Sequence, residues 1–126
     1  MPVTIYKTNK MLLQFSFSNF KCFKNEAVLN LTAPLGEKTK GFVRALEGRT
    51  GLLKAAVVYG ANASGKTKLF EAFRFLKYFV CPPTREGRLP VLDYWRRQYD
   101  AFRLSTSSPR ESSFFEAVMV IEGVQY

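Results

Sequence analysis

The sequence of 126 residues predicts an α/β domain in which antiparallel β hairpins accompany a buried strand, a glycine-rich turn and a helix. Three patterns carry that expectation. Apolar and polar residues alternate from Leu12 onward, an apolar run without alternation enters Gly60, and Leu69, Phe73, Leu76 and Val80 then recur at helical spacing. With 47% hydrophobic residues and twelve Phe, the composition is that of one packed domain and argues against a disordered chain.

The first ten residues mix Pro, Thr, Asn and Lys without a hydrophobic period, so 1–10 is expected to be an extension that can fray, with the domain over 11–126. Next, Leu13, Phe15 and Phe17 fall on one face and Gln14, Ser16 and Ser18 on the other, the pattern of a half-buried strand. Asn19-Phe20-Lys21-Cys22-Phe23 and a polar turn lead into a second run at 27–31, which should complete a hairpin. Residues 32–51 hold Pro34 and four glycines, and are expected to be loop with one short element at 42–46.

Residues 54–59, Lys-Ala-Ala-Val-Val-Tyr, match a strand buried on both faces of a sheet. In the helix that follows, Phe70, Ala72, Phe75 and Phe79 flank the apolar stripe and leave Glu71, Arg74 and Tyr78 for solvent. Cys81-Pro82-Pro83 should stop it, since proline cannot extend the hydrogen-bond ladder. Beyond lie a basic loop at 84–90, a short amphipathic helix at 91–99 burying Leu92 and Trp95, and a polar loop at 105–109. The run 113–121 turns through Glu122-Gly123 into 124–126 as a last hairpin, whose second strand has barely begun where the sequence stops.

Charge and composition narrow the chemistry. Nineteen Lys and Arg against ten Asp and Glu give a net charge of +9, which leaves nucleotides, nucleic acid or an acidic surface open as partners. The absence of histidine excludes a Ser-His-Asp triad, a Cys-His pair and any His-ligated metal in this chain. Cys22 and Cys81 are far apart and form no C-x-x-C pair, so both are expected to be reduced residues. No apolar run approaches the roughly 18 residues of a membrane span and no signal-peptide pattern opens the chain, which favours the cytoplasm.

Gly60-Ala61-Asn62-Ala63-Ser64-Gly65-Lys66-Thr67 fits G-x-x-x-x-G-K-[S/T], the phosphate loop or Walker A motif. Four constrained positions match by accident in well under about 1% of chains this long. The glycines let the backbone fold into a concave nest, so that N–H groups from Ala61 to Thr67 converge on phosphate oxygens at a helix N-terminus. Lys66 supplies the cation for the β- and γ-phosphates, and Thr67 the hydroxyl that ligates Mg²⁺. ATP and Mg²⁺ are therefore the expected ligands.

These segments together resemble the N-terminal part of ABC-type ATPase heads of the SMC, RecF and OLD-like kind. The resemblance runs from about Met11 to Tyr126 and is most specific at the phosphate loop. The form Gly-Ala-Asn-Ala-Ser-Gly-Lys is similar to that of prokaryotic AAA-type ATPases, several of which resemble anti-phage or abortive-infection proteins. Phe102-Arg103-Leu104, Phe115-Glu116-Ala117-Val118 and Gly123-Val124-Gln125-Tyr126 resemble the segment after the first helix in that group. The resemblance implies a P-loop NTPase lobe, and it places Lys21, and with it Asn19, near the nucleotide phosphates; a solvated turn lysine is the competing expectation for Lys21.

Such heads also carry an LSGGQ-like signature, a glutamine loop, an Asp-Glu pair ending a strand, and usually a switch histidine. None is visible here. Val118-Met119-Val120-Ile121-Glu122 imitates the Asp-Glu strand, but Gly123 makes a hairpin turn the more economical assignment. The expectation is thus an incomplete domain that binds ATP, has no catalytic residue of its own, and associates with itself or with a C-terminal ATPase lobe. The alternative is a non-enzymatic basic module for nucleic acid or for a protein partner.

Overall fold

The computed structural model describes residues 10–37, 41–45, 50–81, 99–122 and 124–126. They form a mixed α/β structure: strands β1 (Lys10–Ser18), β2 (Ala27–Asn30), β3 (Thr32–Pro34), β4 (Val43–Ala45) and β5 (Thr50–Leu53), helix α1 (Lys66–Val80), then β6 (Phe114–Ile121) and β7 (Val124–Gln125). One sheet has the order β2-β1-β6-β7 and the other the order β3-β5-β4. The chain divides into two compact units, one drawing on residues up to Phe15, 29–57 and 116–126, the other on 16–28 and 58–115.

In the first unit, β5 is the centre of the small antiparallel sheet, pairing Gly51 with Ala33 on one side and with Ala45 on the other. Gly51 is buried, and a Cβ there would lie 2.8 Å from Leu35 Cδ2 and 3.1 Å from Val43 Cβ. A side chain there would have to displace Leu35 and Val43, so glycine suits the close approach of these strands, as is usual where a glycine interrupts a strand pattern. Here the structure corrects the loop expected over 32–51: β3 and the start of β5 lie inside it. Pro34 ends an edge strand, where its missing N–H removes no ladder bond, and Asn30 Oδ1 accepts both Thr32 N–H and Thr32 Oγ1–H at 2.8 Å. The hairpin of β6 and β7 forms as expected, pairing Ile121 with Val124, with Glu122 in the left-handed region at φ 53°.

The second unit is organised around aromatic rings. Phe17 and Phe20 are fully buried. Phe17 meets Phe23 at 4.9 Å, and Phe20 meets Phe115 at 5.3 Å and Phe75 of α1 at 5.5 Å. Offset and edge contacts at these spacings are the favoured aromatic geometries. The β1–β2 hairpin closes above this cluster through an antiparallel Phe20–Phe23 bridge and an Asn19 N–H bond to Lys24 O at 3.2 Å. Such a tight reversal needs positive φ, which Asn19 (50°) and Lys21 (52°) supply.

Three further expectations change. Residues 54–59 form no strand: 55–60 are irregular, and Val57 and Tyr59 are 86% and 89% exposed. A strand covered on both faces requires flanking strands and helices, and among the described residues no strand pairs with this run. The centre of β1 is covered on both faces, since Ser16 is as fully buried as Phe15 and Phe17. On α1, Glu71 turns inward to meet two lysines, while Phe70 (63% exposed) and Phe73 face solvent. The helix itself starts at Lys66 and ends at Val80, before the Cys81-Pro82 stop. Lys10, expected at the end of the 1–10 extension, opens β1, while residues 1–9, the basic loop at 84–90 and nearly all of the 91–99 helix lie outside the described residues.

Candidate functional site

Gly60 to Ser64 form an exposed loop ahead of α1, with Gly65 as the helix N-cap. Two residues adopt left-handed backbone, Ala63 at φ 62° and Gly65 at φ 91°. Alternation of right- and left-handed residues turns successive N–H groups toward one side of the chain, which makes a concavity suited to anions. At Gly65 glycine is required twice over. A side chain would be strained at that φ, and its Cβ would lie 3.1 Å from Phe23 Cζ and 3.3 Å from Cys22 Sγ.

Lys66 bends back into this concavity. Its Nζ donates to Gly60 O at 2.8 Å, to Ala61 O at 2.5 Å and to Ser64 Oγ at 3.4 Å. Those three acceptors are neutral, and the oxygens of a phosphate chain form stronger, charge-assisted bonds with the same ammonium. Thr67 follows, exposed, in the first turn of α1. Cys22 and residues 63–68 line a cavity of about 430 Å³. The loop thus brings Gly60, Ala61, Asn62, Ala63, Ser64, Gly65, Lys66 and Thr67 into one contiguous surface beside the 19–24 turn.

Asn19 is placed differently from the expectation of a phosphate contact. It is 4% exposed, and its Nδ2 donates to Ser108 O (2.8 Å) and Glu111 O (2.9 Å) while Oδ1 accepts Phe102 N–H (3.1 Å). The side chain is committed to holding the 102–111 segment. Lys21 is held too: its Nζ lies 3.3 Å from Glu71 Oε2 and 3.9 Å from Asp100 Oδ2, and 5.4 Å above the Phe20 ring. It is therefore neither a solvated turn lysine nor directed into the phosphate loop, although it lines a cavity that shares Cys22 and Lys68 with the loop.

Glu71 and Asp100 are the residues that sequence reasoning missed. Glu71 Oε1 also takes Lys68 Nζ at 2.8 Å. Burial pushes the Glu71 carboxyl up, but hydrogen bonds and charge from Lys68 and Lys21 outweigh it and hold the group below the usual carboxylate range. A folded-state pKa below the unfolded value stabilises the fold above the unfolded pKa, and that stability is lost as pH falls through the lowered one. Glu71→Gln should therefore melt below the parent at pH 7, and thermal melts at successively lower pH should show that difference shrinking as the Glu71 carboxylate is protonated. A constant difference would contradict the ion-pair assignment. Glu71 carried the signal of a helix carboxylate three residues from Lys68, whereas nothing in sequence ties Asp100 to Lys21.

Among the described residues no group of three His, Cys, Asp or Glu side chains is arranged for a metal ion. A magnesium ion held mainly by phosphate oxygens and water does not need such a group. Nor, among the described residues, is any helix long and apolar enough to cross a membrane. Comparison with protein-family profiles, with curated proteins and with solved structures finds no match for this chain.

Proposed function

We propose that the chain binds ATP with Mg²⁺ through the loop 60–67, as the N-terminal lobe of a P-loop ATPase of the SMC, RecF and OLD-like kind. The observation that carries this proposal is the Lys66 ammonium drawn back onto Gly60 O and Ala61 O, with Gly65 left-handed at the mouth of α1. The Lys66 side chain, the left-handed Ala63 and Gly65 and the N-terminus of α1 then lie together at one cavity, the combination suited to a phosphate chain. Lys66 takes the β- and γ-phosphates, the N–H groups of 61–67 take the bridging and α oxygens, and the Thr67 hydroxyl completes the Mg²⁺ shell. The exposed side chains of Tyr59, Phe70, Phe73 and Val80 support association with a further ATPase lobe or a second copy.

Hydrolysis is not part of the proposal. Glu122, which sequence offered as an imitation of a catalytic carboxylate, lies exposed in the β6–β7 turn. With no carboxylate lining the loop cavity among the described residues, the chain should release phosphate from ATP hardly faster than buffer. A steady-state assay giving about 1 s⁻¹, near the lower end for phosphoryl-transfer enzymes, would contradict this and point to Glu122.

Filter binding with labelled ATP and labelled DNA over a salt series tests the proposal against a basic module for nucleic acid. ATP retention that survives salt while DNA retention collapses supports the nucleotide site. Steeply salt-dependent DNA binding without ATP retention supports the basic module instead.

A further inference from the structure

The geometry points to a nucleoside subsite beside the phosphate loop, in the cavity formed by Lys68 and residues 100–104, with the Asp100 carboxylate accepting from ribose hydroxyls and Leu104 lying against the base. The inference rests on the proposal that the loop 60–67 holds the phosphates. The polarity of the ligand follows from Lys66. Its ammonium sits at the Gly60–Ala61 end of the loop, through bonds of 2.8 and 2.5 Å, and that is where the β- and γ-phosphates belong. The ester end of the ligand must leave in the opposite direction, past Lys68 and Cys22.

Those two residues also line a second cavity of about 330 Å³, continued by Asp100, Phe102 and Leu104. Its size is at the lower end of the roughly 300–1,000 Å³ of small-molecule sites. Its chemistry suits a sugar and a flat ring. Asp100 is fixed to the 19–24 turn by Lys21 N–H, which donates to its backbone oxygen at 2.6 Å. One carboxylate oxygen takes the Arg103 guanidinium and the other lies 3.9 Å from Lys21 Nζ, which leaves lone pairs for a hydroxyl donor. Leu104 is 90% exposed, and an apolar side chain so placed gains when a ligand ring covers it.

The test compares ATP with methyl triphosphate, which carries the same triphosphate charge with a methyl group in place of the nucleoside, by calorimetric titration of the full chain with Mg²⁺. ATP should bind about tenfold more tightly, and Leu104→Ser and Asp100→Asn should each reduce that preference to about threefold or less. Reading the ratio cancels any change in local charge. Leu104→Ser alters an exposed side chain, so it remains informative if Asp100→Asn loosens the turn. Equal affinities in the parent, or an unchanged ratio in both variants, would overturn the subsite while leaving the phosphate loop in place. If neither ligand binds the parent, or Lys66→Ala binds both as the parent does, the phosphate-loop proposal falls and the subsite falls with it.

Discussion

Lys66→Ala is expected to abolish the nucleotide binding proposed for the loop 60–67: ATP affinity should fall by at least about 100-fold, with the circular-dichroism spectrum unchanged. The reason is the concentration of charge. Lys66 is the cation that the loop itself carries at the Gly60–Ala61 end, and its present partners are neutral oxygens of the same loop. Losing those bonds costs little in folding, because all three lie at the surface. For a triphosphate the expected loss is large, since charge-assisted bonds are roughly twice as strong as neutral ones and the Ser64 hydroxyl beside Lys66 at that end carries no charge. An alanine variant that keeps its ATP affinity would sink the phosphate-loop assignment.

Asn19→Ala should have the largest effect on stability, about 3 kcal/mol, out of the roughly 5–15 kcal/mol typical of a domain. Three bonds are lost at once, and Ser108 O, Glu111 O and Phe102 N–H are left without the amide that pairs them. Alanine must also hold φ near 50°, a region that asparagine tolerates far better. Asn19→Asp should fare no better, because a carboxylate would face two carbonyl oxygens where the amide donates. Urea melts of the two variants provide the check; a loss below about 1 kcal/mol would mean that the 102–111 segment does not depend on Asn19.

Much of the fold was legible because local patterns and tertiary packing agree. The end of α1 at Val80 and the turn at Glu122 between β6 and β7 follow local signals, whereas the Leu13-Phe15-Phe17 alternation marks β1 as a strand but gives no sign of its second covered face. Where the answer depended on distant partners, the sequence misled. Residues 54–59 have the composition of a central strand, yet a strand exists only where neighbours complete its ladder. Gly51 reads as a loop residue because the crowding by Leu35 and Val43 that favours glycine there is visible only once β3, β4 and β5 are assembled.

The site divides in the same way. The loop 60–67, proposed to hold phosphate, is contiguous in sequence, so its spacing alone picks it out. Lys21 was singled out but not its partners, since Asp100 reaches it from a loop 79 residues away and Glu71 looked solvent-facing on a helical projection. For Asn19, a polar residue beside a basic one in a tight turn gives no hint of three backbone partners beyond residue 101.

The most direct test of nucleotide binding at the loop is an amide ¹H–¹⁵N spectrum of the labelled chain during titration with Mg·ATP. Saturable shifts concentrated at the N–H groups of residues 61–67, largest at Gly65 and Lys66 and absent in Lys66→Ala, are the expected result. A spectrum in which those amides do not move at millimolar Mg·ATP, or in which shifts scatter over the basic surface and vanish with salt, would contradict it.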